Sequence, residues 1–135
     1  MKGMKHAQVF IRLTVLGLTL GDLQGAINDR LEAAGKKPIN YSMLSRILNG
    51  RSTYRREVLG YADDITSRWM TETANEYLRV LTPRLEDSGV CTYDLLAKIR
   101  IEGDESPTVH FRNYNTGKTV AVYDITTDKL ILQGG

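Results

Sequence analysis

The spacing of apolar residues changes once along this chain. Up to about residue 81 they recur every three or four positions, which is typical of amphipathic helices. This spacing predicts helices over residues 5–17, from Thr19 to the Gly35–Pro38 break, and from Asn40 to Asn49-Gly50. A fourth, longer helix is predicted over residues 55–81, and we expect Thr82-Pro83 to end it.

The last part of the chain follows a period of two instead. Residues 109–114, 119–125 and 130–132 alternate, and turn residues separate them, which predicts a three-stranded antiparallel meander. Residues 93–99 are predicted as a short helical segment, with a strand over 97–101 as the alternative. The predicted fold class is α+β: an N-terminal helical domain over residues 1–66, then the end of the long helix and a sheet over residues 67–135.

The third predicted helix has two different faces. The stretch INYSMLSRILNGRS, residues 39–52, turns Leu44, Ile47 and Leu48 inward. Its other face carries short polar groups and an arginine, the residue types that read base edges in the major groove. The hypothesis assigns base reading to Tyr41, Ser42, Ser45 and Arg46. It assigns phosphate binding to Lys36, Lys37, Asn49, Arg51, Arg55 and Arg56.

This stretch resembles the recognition helix of lambda-repressor-like (Cro/cI, Xre-type) helix-turn-helix domains. Those helices often end in Ser-x-Ile-Ser-x-Ile-x-Asn-Gly-x-x, and residues 42–52 stand in register with it. Thr19–Leu23 resembles the start of the second helix of that family. Two departures are visible: Leu20 stands where the family often has Gln, and the link between helices two and three is longer. The resemblance covers residues 7–66 and implies sequence-specific binding of double-stranded DNA.

The charge distribution agrees with a polyanionic partner for the first half. Residues 1–60 contain ten Lys and Arg against four acids, a net charge of +6, whereas the chain as a whole carries +2. Residues 61–135 therefore carry −4. A chance imbalance on solvated faces is the alternative interpretation.

One side of the long helix is a candidate for a dimer seam or for the core of the meander. It consists of Trp69, Thr73, Tyr77 and Val80. A single small domain of this kind makes few phosphate contacts, so we expect a homodimer on a palindromic site.

Other chemistry has little support in the sequence. Asn115–Thr119 contains Gly-Lys-Thr, but Arg112 stands where a phosphate-binding loop requires its first glycine, so a hairpin turn is expected. His6 and His110 have no partner at metal-ligand spacing, and the single cysteine, Cys91, is expected to be a buried small residue. We expect no enzyme activity, no cofactor and no metal.

The sequence thus predicts a DNA-binding transcriptional regulator, in particular a repressor, of a phage, mobile element or bacterium. The single cysteine and the lack of an apolar run of about 18 residues favour a cytoplasmic protein without a membrane span. Two alternatives give residues 83–135 a protein partner. In one the chain inhibits a host defence protein and its helix-turn-helix domain regulates its own promoter; in the other it is an antitoxin.

Overall fold

The chain folds into four helices followed by four strands. A computed structural model describes residues 2–52, 55–101 and 106–133, with side chains from residue 8 onward. In chain order the elements are α1 (Lys2–Leu16), α2 (Leu20–Ala33), α3 (Tyr41–Leu48), α4 (Glu57–Asp87), β1 (Leu95–Arg100), β2 (Thr108–Asn113), β3 (Thr119–Asp124) and β4 (Lys129–Leu132). The predicted α+β class is confirmed. The chain divides into two compact units, Met1–Trp69 and Met70–Gly135.

The first unit is built around the apolar faces that the helical spacing predicted. Because these faces repeat every three or four residues, each helix can turn one side toward a common core. The buried residues of that core are Val9, Leu13, Leu23, Ile27, Leu31, Ile39, Leu44, Ile47, Leu48, Val58, Ala62 and Ile65.

The first two helices of this unit are separated by local hydrogen bonding at Gly17 and Thr19. Gly17 adopts φ 69°, and the backbone N–H of Leu18 donates to the carbonyl of Leu13 (3.0 Å), which closes the end of α1. The Thr19 N–H then donates to the Asp22 carboxylate (2.8 Å), and the Asp22 N–H donates to the Thr19 hydroxyl (3.2 Å). These reciprocal bonds form a capping box, so Thr19 caps α2 as predicted. The backbone bond from Thr19, and then its hydroxyl, lower the pKa of Asp22.

The second unit contains a four-stranded antiparallel sheet in the order β1-β2-β3-β4. Alternation along the strands buries Leu95 and Ile99 of β1 and Val109 and Phe111 of β2. On the last turns of α4, the Tyr77 ring lies 5.7 Å from the Tyr123 ring, between centroids, so this helix covers the buried face.

The sequence-based predictions for residues 82–100 were partly wrong. Residues 93–99 form no short helix: β1 runs over Leu95–Arg100 and pairs with β2, so the meander has four strands. The alternative strand was therefore the better interpretation. A run this short fits a strand or a helix equally well, and only its pairing with β2 decides. Cys91 is exposed, not buried.

Pro83 does not end α4, which continues to Asp87. A proline inside a helix removes one backbone hydrogen bond and costs about 3 kcal/mol. Leu81 and Leu85 flank it and are both buried, and burying a leucine contributes about 1.5–3 kcal/mol. Tertiary packing therefore overrides the local signal.

Within the described part of the chain, no single helix is long and apolar enough to cross a membrane. Gln8–Leu16 and Leu20–Ala33 together have the required length and apolar composition, but the pair is bent by 110°.

Candidate functional site

The candidate site is centred on α3. The Asn40 side chain accepts a hydrogen bond from the Met43 N–H (2.8 Å) and caps the helix, as the sequence predicted. Leu44, Ile47 and Leu48 are fully buried in the first unit. This burial fixes which side of the helix is available to a ligand.

The Asn49-Gly50 pair ends α3 in a defined way. Gly50 adopts φ 74°, a left-handed conformation that is strained for residues with a Cβ. The Gly50 N–H donates to the carbonyl of Ile47 (3.1 Å), and the Arg51 N–H donates to that of Arg46 (2.8 Å). This is the Schellman pattern, and it places Arg51 immediately beyond the last turn of the helix.

Three of the four predicted base-reading residues are exposed: Tyr41, Ser42 and Arg46. Tyr41 has 53% of its surface accessible, high for an aromatic side chain. Ser45 is half-buried, and its hydroxyl accepts a hydrogen bond from the Asn49 side-chain amide (3.3 Å). That amide also donates to the Ser45 carbonyl (2.8 Å). Ser45 and Asn49 are therefore hydrogen-bonded to each other at the end of α3. This structural role was not predicted from the sequence.

The side chain of Asn28 holds the segment before α3, residues 34–40, in place. Its amide oxygen accepts from the Ile39 N–H (2.8 Å), and its amide nitrogen donates to the Ile39 carbonyl (3.1 Å). Gln24 donates a second hydrogen bond to the same carbonyl (3.1 Å). This role of Asn28 could not be predicted from the sequence, because no periodic pattern distinguishes an asparagine that binds backbone from one that is solvated.

Lys36 and Lys37 lie in this segment and are both exposed. The Lys36 ammonium is 6.0 Å from the centre of the Tyr61 ring, at the outer limit of a cation–π contact. The Lys36 N–H donates to the Leu31 carbonyl (2.8 Å) at the end of α2, where Gly35 has φ 70°. The backbone of the segment is thus fixed at both ends, at Lys36 and at Ile39.

Arg55 has a structural contact that the phosphate-binding hypothesis did not include. Its side chain is 15% exposed, and the guanidinium donates to the Pro38 carbonyl (3.3 Å) and to the Glu57 carboxylate (3.3 Å). It therefore ties the start of α4 to the segment before α3. The Glu57 backbone N–H, and to a smaller extent Arg55 and Lys36, lower the pKa of Glu57.

Several other arginines of this unit are already paired with acids. Arg12 donates to Asp63 (2.9 Å) and to the buried Thr66 hydroxyl (3.2 Å), and Arg30 donates to Asp64 (2.6 Å). The bond from Arg30 lowers the pKa of Asp64. Over the described residues, the exposed cations outside any ion pair in this unit are Lys36, Lys37, Arg46, Arg51 and Arg56. All of them belong to the predicted site.

The predicted seam residues on α4 do not share one environment. Trp69 packs against the core of the first unit. Tyr77 contacts Tyr123 in the second unit, Thr73 is half-buried, and Val80 is 57% exposed. Only Val80 presents an open apolar surface.

The site offers cations, hydroxyls and amides, but no ligand set for a metal. Among the residues whose placement is described, no group of three or more His, Cys, Asp or Glu side chains is arranged to hold an ion. Comparison of the chain with protein-family models, with curated proteins and with solved structures gave no match.

Proposed function

We propose that the first unit binds double-stranded DNA in a sequence-specific way through the exposed face of α3, and that the protein is a transcriptional regulator in the cytoplasm. One observation carries the proposal. α3 buries Leu44, Ile47 and Leu48 completely, while Tyr41, Ser42 and Arg46 remain exposed on its other side. A helix that enters the major groove requires this division, with an apolar face for its own domain and a polar face for base edges.

The charges around α3 support the same proposal. Lys36, Lys37, Arg51 and Arg56 are exposed, and none forms an ion pair with a described residue. An unpaired surface cation can neutralise a DNA phosphate and release its counterion, which favours binding at low salt. In the proposal these four residues hold phosphates and Arg46 makes the bidentate contact to guanine. Arg55, Ser45 and Asn49 act mainly by positioning α3 and its flanking segments.

The proposal extends to a helix-turn-helix arrangement of α2 and α3 and to a homodimer on DNA. α2 and α3 are joined through Asn28 and the segment that it holds. One copy of α3 spans only a few base pairs, and two copies on a palindrome double the contacts. If the preferred site proves to contain two half-sites about one helical turn apart, that result will support this extension.

The test is selection of preferred sites from a random duplex library, followed by salt-dependent binding measurements. Arg46→Ala is expected to cost about 1–3 kcal/mol at the preferred site and to relax the preference at one position. Lys37→Ala should weaken binding to all duplexes alike and reduce the salt slope by about one. Arg79→Ala is the matched control, because Arg79 is exposed on α4 and paired with Glu76. Unchanged affinity and preference in Arg46→Ala would contradict the assignment of α3.

A further inference from the structure

A second group of Lys and Arg side chains that form no ion pair with a described residue lies on the sheet, on the face opposite to its buried side. Directly paired residues of antiparallel strands share a face. The register pairs Leu96 with Arg112, Lys98 with His110, and Arg100 with Thr108. We call this surface the outer face; its central residues are Leu96, Lys98, Arg100, His110, Arg112 and Thr119.

The outer face is open and positively charged, although the second half of the chain is acidic overall. Lys98, Arg100 and Arg112 are exposed, and none of them forms an ion pair with a described residue. Arg79 and Arg84 of the same unit, by contrast, pair with Glu76 and Asp128. No described carboxylate therefore forms an ion pair with Lys98, Arg100 or Arg112, although Asp124 lies on the same face of the sheet, in register with Thr108.

The dimensions of the outer face suit a chain more than a compact ligand. Its central residues line an open depression of about 100 Å³, whereas pockets for small molecules hold roughly 300–1,000 Å³. Lys98 and Arg100 are two residues apart on one strand, hence about 7 Å apart. A row of charges at this spacing can follow an extended polyanion.

An exposed aromatic ring lies at one end of this row. Tyr114 is 57% exposed and lies two residues beyond Arg112. Its backbone N–H donates to the Asp94 carbonyl (3.0 Å), which continues the pairing of β1 with β2 past Leu95. The backbone of Tyr114 is thus fixed at the end of β2, two residues beyond Arg112.

We propose that the outer face binds a single strand of nucleic acid, with phosphates on Lys98, Arg100 and Arg112 and an unpaired base stacked on Tyr114. Proteins that bind single strands combine a basic surface that follows the backbone with aromatic rings that stack on bases. The planar guanidinium of arginine can also stack on a base. An acidic peptide would not use this stacking, so the composition of the face favours nucleic acid. This activity is separate from duplex binding by α3 and does not depend on it.

The experiment measures binding of the full chain to labelled thymidine DNA and uridine RNA strands of about 12 nucleotides, within the usual range of site sizes. The double variant Lys98→Gln/Arg112→Gln is expected to lose at least about ten-fold in affinity and to show a smaller salt slope. Tyr114→Ala should lose about five-fold or more, because it removes the stacking surface. Arg79→Gln, a control at an exposed arginine of α4, should bind as the native chain does. Binding of either strand supports the proposal, and the tighter one identifies the preferred sugar.

Two comparisons separate this proposal from its competitors. Arg46→Ala, at the duplex site, should leave strand binding intact, and the double variant should leave duplex binding by α3 intact. Poly-glutamate is the competitor that represents an acidic protein segment. The proposal is overturned if neither strand binds saturably, if the double variant binds like Arg79→Gln, or if poly-glutamate competes fully while Tyr114→Ala has no effect.

Discussion

Asn28 provides the sharpest test of how the structure positions α3. Replacing it with alanine removes both of its hydrogen bonds to Ile39. Ile39 is only 3% exposed, so its N–H is left without a partner among the described residues and largely away from water. An unsatisfied buried donor costs about 1–3 kcal/mol. The Ile39 carbonyl loses less, because Gln24 still donates to it.

The expected net effect includes a helix-propensity term. Alanine is a better helix former than asparagine by up to about 0.7 kcal/mol, which offsets part of the loss. We therefore expect Asn28→Ala to lower the free energy of unfolding by about 1–2 kcal/mol. Gln24→Ala is the matched control, since it removes one of two bonds to the same carbonyl and leaves the N–H paired. Gln24→Ala is expected to lower the free energy of unfolding by less than about 0.5 kcal/mol, once the gain in helix propensity from alanine is included.

The assay is urea unfolding followed by tryptophan fluorescence. Trp69 is the single tryptophan of the chain and packs against the core of the first unit, so its emission reports on that unit. The variants can be compared only if the free energy of unfolding falls with urea concentration at the same slope in each of them. If Asn28→Ala were no more destabilising than Gln24→Ala, the assignment of Asn28 as the residue that holds the segment before α3 would be wrong.

Three further predictions test local features. Gly50→Ala should destabilise the first unit by about 1 kcal/mol in the same assay, because alanine is strained at φ 74°; Gly60→Ala, at a helical position without positive φ, should not. The pKa of the Asp22 carboxyl, titrated by NMR, should lie below the ordinary aspartate value. The carboxylate should therefore stabilise the fold fully above that ordinary pKa and lose this contribution as the pH falls through the lowered pKa of the folded state. This pH dependence should be absent in Asp22→Asn. Pro83→Ala should stabilise the second unit by about 2 kcal/mol, because it restores a helical N–H. An unchanged or lowered unfolding temperature in calorimetry would show that Pro83 does not destabilise α4.

Much of α2, α3 and the hairpin turns could be predicted from the sequence, because the signals that define them are local. Thr19 and Asn40 cap helices with side chains that reach only three residues ahead. Gly50 ends α3 through its own conformation. The burial of Leu44, Ile47 and Leu48 followed from their spacing on one helix.

The tertiary structure decided the features that depend on distant partners. Pro83 stays within α4 because its neighbours are buried, and β1 is a strand because β2 pairs with it. Asn28 and Arg55 bind backbone carbonyls 11 and 17 residues away, which no periodicity indicates.

The outer face illustrates the same distinction for charge. By sequence the second half of the chain is negative, yet cations from β1 and β2 meet on one side of the sheet. The sequence by itself determined how much charge each half carries and which faces of its helices are apolar. Only the tertiary structure decided which charges lie together and which are neutralised, because strand pairing and long-range ion pairs join residues that are far apart along the chain.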